Sequence, residues 1–203
     1  MRRLVTRLVL TLVAAACPTP MFADQGLIGV WSSAVRSDGG FGSQWIVNPP
    51  STITYRFGAL IDFDYEIDGN RIRTTLYDDS NGGLTIQRFT IDSNSFTLHG
   101  GEAESDQYMT RVGVPDPEHH PIVGVWSFVH YTGAVALMRY GTGGNGQLSV
   151  PLESLTGSYL LSGNQIEIVF SGREIYRGNI EVDADTLTFL GADADQHYVR
   201  FND

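Results

Sequence analysis

Apolar and polar residues alternate with a period of two along most of this chain. Ile53, Tyr55 and Phe57 alternate with Thr52, Thr54 and Arg56. Phe63, Tyr65 and Ile67 alternate with Asp62, Asp64 and Glu66, and Ile72, Thr74 and Leu76 with Arg71, Arg73 and Thr75. Ile166, Ile168 and Phe170 alternate with Gln165, Glu167 and Val169. Successive side chains on a strand point to opposite faces, so this pattern predicts half-buried β-strands. No comparable stripe of helical period follows residue 23. Asp68-Gly69-Asn70 and Ser162-Gly163-Asn164 stand between two such runs and predict hairpin turns, because glycine and asparagine tolerate positive φ. Asp92-Ser93-Asn94 and Asp183-Ala184-Asp185 predict a second pair of turns. Arg71 and Arg73 are expected opposite Asp62, Asp64 and Glu66, as cross-strand pairs contributing about 0.2–1 kcal/mol each.

The same pattern is written twice. Leu27-Ile28-Gly29-Val30-Trp31-Ser32 returns as Ile122-Val123-Gly124-Val125-Trp126-Ser127, 95 positions later. Residues 64–72 align with 158–166, and 89–98 with 180–189 at an offset of 91. Asp106, Gln107 and Arg111 align with Asp195, Gln196 and Arg200 at an offset of 89. Matching blocks in the same order make a tandem duplication, with a few loop residues lost from the second copy. Between the copies, residues 114–121 (VPDPEHHP) carry three prolines, which remove backbone donors and interrupt strand and helix alike. The expected organisation is a leader (1–23), repeat 1 (24–113), the proline-rich linker (114–121) and repeat 2 (122–203).

Composition narrows the chemistry. The chain of 203 residues is 42% hydrophobic and 18% charged, a globular balance. It contains no lysine; all 13 basic residues are arginine. That removes Schiff-base chemistry, pyridoxal-phosphate attachment and a phosphate-loop lysine. The formal charge is −10, and −13 without Arg2, Arg3 and Arg7 of the leader. So acidic a chain is repelled by nucleic acid and anionic membranes. The lone cysteine, Cys17, also falls in the leader, so residues 24–203 hold no disulfide and no thiolate nucleophile.

Residues 1–23 run from a basic start through an apolar stretch, Leu8 to Ala16, into small residues. That is the order of a secretory signal, with an apolar run too short to span a bilayer. Cleavage is expected after Ala23 or after Ala16. The second site resembles a degenerate lipoprotein box that would leave Cys17 as a lipid anchor; otherwise Cys17 is discarded with the leader. The expected location is periplasmic or extracellular.

Each repeat opens on Gly-x-Trp (Gly29-Val30-Trp31, Gly124-Val125-Trp126) and closes on an arginine (Arg111, Arg200). This resembles the short bacterial lipocalin-like barrels of calycin type, in which a Gly-x-Trp on the first strand packs under an arginine from near the end of the chain. The resemblance spans most of residues 24–203. It implies an all-β fold of two tandem small antiparallel meander barrels. The alternative is that both copies contribute to one larger barrel or sandwich. It also implies a structural plug of Trp31, Arg111, Trp126 and Arg200, held by cation–π attraction of about 0.5–2 kcal/mol.

Candidate sites are sparse. Residues 141–146 (GTGGNG) match a dinucleotide-binding pattern, but no helix opening follows, so a flexible loop is expected. His119 and His120 lack a third metal ligand at suitable spacing, and no metal or cofactor is expected. His130 and His197 fall in repeat 2 without counterparts in repeat 1, and no set of nucleophile, base and orienting residue stands out. Asp62 and Asp64 share a face but have no counterpart in repeat 2, and Asp78-Asp79 lacks the spacing of a calcium loop. No Gly-x-Ser-x-Gly elbow occurs. Residues private to one repeat are better guides. Trp45, Tyr55 and Phe57 in repeat 1, and Met138 and Tyr140 in repeat 2, are the candidate ligand-binding residues, with ordinary core as the competing reading. The expected function is a non-enzymatic exported binding protein for a small apolar ligand. The alternatives are a protein-interaction or inhibitor module using barrel loops, and a hydrolase with an unrecognised carboxylate site.

Overall fold

The computed structural model describes residues 26–77, 83–100 and 105–201. The leader with Cys17, and Asp78 and Asp79, lie outside the described residues. The fold is all-β and antiparallel. Repeat 1 forms β1 (Gly29–Ser33), β2 (Phe41–Asn48), β3 (Thr52–Asp68), β4 (Arg71–Leu76), β5 (Leu84–Ile91), β6 (Ser95–His99) and β7 (Gln107–Val112). Repeat 2 forms β8 (Gly124–Val129), β9 (Val135–Tyr140), β10 (Asn145–Ser162), β11 (Gln165–Phe170), β12 (Arg173–Val182), β13 (Thr186–Leu190) and β14 (Gln196–Arg200). The hairpin turns expected at Gly69-Asn70 and Gly163-Asn164 join β3 to β4 and β10 to β11. Among the described residues, no helix is long and apolar enough to cross a membrane.

The fourteen strands close into one sheet, since β14 pairs with β1. A further pairing, β3 with β10, pinches that circuit across its middle. Two eight-stranded rings result. The first ring contains β1, β2, the start of β3, the end of β10, and β11 to β14. The second contains the end of β3, β4 to β9, and the start of β10. The expected arrangement of one self-contained barrel per repeat therefore gives way to an exchange. Each ring takes strands from both repeats, and the closed sheet is a joint product of the two copies, nearer the alternative expectation.

The cause lies in two long strands. β3 has 17 residues and β10 has 18, with no turn to fold either back on itself. Each leaves one ring and enters the other. They cross at Gly58 and Pro151, which are register partners. A Cβ on Gly58 would lie 2.1 Å from the Val150 carbonyl oxygen and 2.7 Å from Pro151 Cα, so only glycine allows this approach. Pro151 sits at the register shift between Pro151 and Glu153, where a missing N–H is tolerated.

Each ring has its own core. Leu27, Trp31, Trp45, Ile53, Phe189 and Tyr198 belong to the first. Phe63, Phe89, Phe96, Trp126 and Tyr140 belong to the second. The outer walls of the rings meet in a polar seam. The six buried polar or charged side chains among the described residues, Ser32, Gln44, Arg56, Arg139, Gln147 and Ser149, all lie on the strands that meet there. Gln44 Nε2 donates to Gln147 Oε1 (2.7 Å) and to Ser32 Oγ (3.0 Å), and Ser149 Oγ donates to Gln44 Oε1 (2.6 Å). Gln147 Nε2 donates to Asp62 (2.8 Å), which is ion-paired with Arg36 at 2.6 Å. Arg56 donates to the Val135 carbonyl (2.5 Å), and the Arg139 guanidinium lies 5.4 Å from the Phe201 ring. Such a network fixes how the walls meet, because each group left unmatched costs about 1–3 kcal/mol.

Asp62 is thus committed to the seam, not to the expected ladder. Asp64 accepts from the Tyr77 hydroxyl, and its register partner is Thr75. Glu66 alone of the three ion-pairs with an opposing arginine, Arg73, at 3.6 Å. The glycine-rich segment 141–144 is a tight turn tied to β3, not a free loop. The Tyr65 hydroxyl donates to the Gly141 carbonyl (2.6 Å) and the Tyr65 amide to that of Gly144 (2.6 Å).

Candidate functional site at the mouth of the first ring

A Gly-x-Trp needs its glycine for space. A Cβ at Gly29 would fall 2.6 Å from Arg200 Nη1, and one at Gly124 would fall 2.8 Å from Arg111 Nη1. Arg200 lies over Trp31 and Arg111 over Trp126, each 4.1 Å from the ring centroid. The pairing is crossed: each tryptophan is covered by the arginine of the other repeat. That is the strand exchange seen at the barrel end, since β14 pairs with β1 and β7 with β8. The guanidiniums make equivalent bonds. Arg200 donates to the carbonyls of Ala184 (2.7 Å), Ile28 (2.8 Å) and Gly26. Arg111 donates to those of Ser93 (2.7 Å), Val123 (2.9 Å) and Pro121. The indoles donate to Leu27 and Ile122, both at 2.8 Å. These four residues plug one end of each ring.

The opposite ends are unlike. Strand register makes the positions comparable: Trp31 pairs with Trp45 and Trp45 with Tyr55, as Trp126 pairs with Met138 and Met138 with Leu148. Two residues further toward the mouth on each strand, Ser33, Ser43, Phe57 and Tyr198 of the first ring correspond to Phe128, Ala136, Val150 and Met109 of the second. The second ring's set is apolar throughout, and Phe128, Ala136, Val150 and Met109 are buried in its core. The first ring's set opens into a groove of about 430 Å³, lined by Ser33, Phe41, Ser43, Tyr55, Phe57 and Tyr198 and rimmed by Asp195, Gln196 and His197.

Side-chain hydroxyls run through this groove. The Tyr198 hydroxyl donates to Gln196 Oε1 (3.1 Å) and lies 3.2 Å from Ser43 Oγ. The Ser43 amide donates to Ser33 Oγ (3.1 Å). Burial, and then the neighbouring Tyr198, push the Tyr55 phenol above its ordinary value, while a hydrogen bond with Ser43 acts the other way. Phe41 and Phe57 stack at the rim, with centroids 6.3 Å apart and planes 23° from parallel, and are 39% and 38% exposed. Beneath them Trp45 packs on Tyr55 (4.9 Å) and Phe189 (5.2 Å). Its indole N–H is buried with no hydrogen-bond partner among the described residues.

The five candidate ligand residues are therefore divided. Tyr55 and Phe57 line the groove and Trp45 lies below it. Met138 and Tyr140 belong to the other ring: Tyr140 is buried against Phe63, Tyr65 and Phe96, and Met138 packs on the same core. Phe41, Ser43, Gln196 and Tyr198 were missed because register, not sequence proximity, gathers them. One signal was present: Tyr198 aligns with Met109 at the offset of the closing arginines, a polar-for-apolar exchange in otherwise matching strands.

The histidines are spread out. His99 contacts Asp106 (2.9 Å), His119 contacts Asp116 (2.8 Å), and His197 lies 3.1 Å from Thr188 Oγ1. Among the described residues, no three His, Cys, Asp or Glu side chains gather to hold a metal. No family model, no curated protein and no solved structure matches this chain.

Proposed function

We propose that this chain is an exported, non-enzymatic binding protein whose small ligand sits in the mouth of the first ring. The observation that carries the reading is the contrast between the two mouths. Two rings share the same plug, yet one mouth is filled by buried apolar side chains, Phe128 among them, and the other is open and hydroxylated with two exposed phenylalanines at its rim. Filling the second mouth serves its core. Leaving the first open exposes Phe41 and Phe57, which costs hydrophobic stabilisation of about 25 cal/mol per Å² left in water. A ligand with an apolar face recovers that contribution on binding, as in other concave aromatic sites. Binding is favoured over two-carboxylate hydrolysis because, among the described residues lining the groove, Asp195 is the one carboxylate, and it accepts a hydrogen bond from the Gly191 amide (3.2 Å).

A fragment screen of the full chain by nuclear magnetic resonance tests the proposal. Hits are expected to perturb Ser43, Tyr55, Phe57 and Tyr198. They should vanish in the variant carrying Ser43→Ala, Tyr55→Leu, Phe57→Val and Tyr198→Met, which writes four residues of the second mouth into the first. Hits that cluster elsewhere, or none, overturn the reading.

A further inference from the structure

We infer that the ligand of this mouth is a neutral saccharide, a sugar ring stacked on the Phe41–Phe57 platform with its hydroxyls held by Ser43, Gln196 and Tyr198. The inference rests on the proposed binding role and names the class of ligand. Three observations on the groove converge on it.

The first is the platform. Phe41 and Phe57 stack side by side, both more than one-third exposed. Their position is built in: a Cβ at Gly39 would lie 3.2 Å from the Phe41 ring, so the β1–β2 loop leaves the ring its place. An aromatic face carries partial negative charge and attracts the weakly positive C–H groups on one face of a pyranose. A flat hydrocarbon would stack there too, but would leave the second feature unmatched.

That second feature is the hydroxyl chain. With Tyr198 donating to Gln196 Oε1, Ser43 Oγ donates to Tyr198, leaving acceptor lone pairs on both hydroxyls and the Gln196 amide N–H groups at the rim. A ligand dense in groups that both donate and accept satisfies them. An apolar ligand would bury them unmatched, at a cost of about 1–3 kcal/mol for each.

The third is charge. Asp195 stands on the rim, and Glu153 is close enough to act on the Tyr55 phenol. The chain carries −13 without its leader arginines, from −10 and three arginines removed. A carboxylated or sulfated sugar is repelled, so the class is neutral. The groove is open rather than enclosed, which admits an internal stretch of an oligosaccharide and not only a free end.

Isothermal titration calorimetry of the full chain against cellohexaose, maltohexaose, xylohexaose and chitohexaose tests the inference, with oligogalacturonate as the anionic comparison. At least one neutral sugar is expected to bind. Phe57→Val should weaken it about tenfold, the loss of one aromatic contact. Tyr198→Phe should weaken it by roughly three- to tenfold, the loss of one hydrogen bond. Phe57→Val places the second ring's own residue at that position, and unfolding curves matching the parent show that the variant is intact. Failure of every neutral sugar to bind at roughly 10 mM, binding indifferent to both substitutions, or preference for oligogalacturonate overturns it. The two readings fail separately: fragments in the mouth without sugar binding remove the saccharide and leave the binding role, whereas an empty mouth removes both.

Discussion

The two rings are the same structure at one end and different structures at the other. At the plugged end, Trp31 with Arg200 and Trp126 with Arg111 repeat the same stacking distance, the same indole bond and an equivalent set of three carbonyl acceptors. At the mouth, Ser43, Tyr55, Phe57 and Tyr198 stand where the other ring has Ala136, Leu148, Val150 and Met109. A feature both rings need is architecture. A feature one ring has, and the other does without while still closing, is not needed for closure. The plug is of the first kind and the mouth of the second, which is why the proposed site lies at the mouth.

The comparison can be broken at several places. Trp31→Ala and Trp126→Ala should each destabilise the chain by about 3–5 kcal/mol in chemical denaturation, as for a large buried aromatic. The two effects should agree closely; a plug whose loss leaves the midpoint unchanged removes the claim of equivalence. Next in size is the crossing. Gly58→Ala forces a Cβ into the Val150 carbonyl and is expected to cost about 1–3 kcal/mol or more. Alanine at the exposed turn glycine, Gly69, meets no atom within 4 Å, although its φ of 59° carries the usual left-handed cost. Equal effects at both sites would contradict the crowded crossing.

Gln147→Leu should cost about 1–3 kcal/mol, because Ser32, Gln44 and Asp62 lose a partner at the seam. It should leave the fluorescence of the mouth aromatics unchanged. The four substitutions that write residues of the second mouth into the first are expected to leave the chain folded but less stable than the parent, because Tyr55 and Tyr198 lose ring contacts with Trp45. They should nevertheless abolish ligand binding.

The smallest effect is a titration. Burial raises the phenols of both Tyr55, in the mouth, and Tyr140, in the second core. The folded chain thus holds these protons more tightly than the unfolded chain, whose tyrosines ionise near 10. The contribution to stability is complete below that pH and is lost as pH rises through the raised values. Spectrophotometric titration of Tyr55→Phe and Tyr140→Phe should show Tyr55 ionising first, since Tyr140 is almost wholly enclosed. The reverse order would place the open mouth in the wrong ring.

Strands and turns were largely legible in the sequence because their causes are local. Period-two alternation marked β3, β4 and β11, and Gly-Asn pairs marked their hairpins. The residues of the plug were legible from the duplication, but their partners were not. Trp31 and Arg111 open and close one repeat, yet they sit in different rings. The charged ladder failed for a related reason. Asp62 has the alternation of a solvent-facing residue, but the outer wall it faces is covered by the other ring, and Arg36 and Gln147 claim it. Of the mouth, Tyr55 and Phe57 stood out as private to repeat 1. Phe41, Ser43 and Tyr198 did not, because they come together only when β14 closes against β1.

By itself the sequence determined that this chain is a doubled, antiparallel β structure with Gly-x-Trp and arginine at the boundaries of each unit. Those properties follow from backbone preferences and side-chain period, which act over a few residues. Tertiary structure alone decided which copy closes which ring. That choice turns on whether β3 and β10 fold back or run straight past Gly58 and Pro151, and it compares contacts about 90 positions apart. Running straight gives every strand a partner and buries both tryptophans under arginines. It also brings Ser43 of repeat 1 to Tyr198 of repeat 2, so the proposed site belongs to neither copy alone.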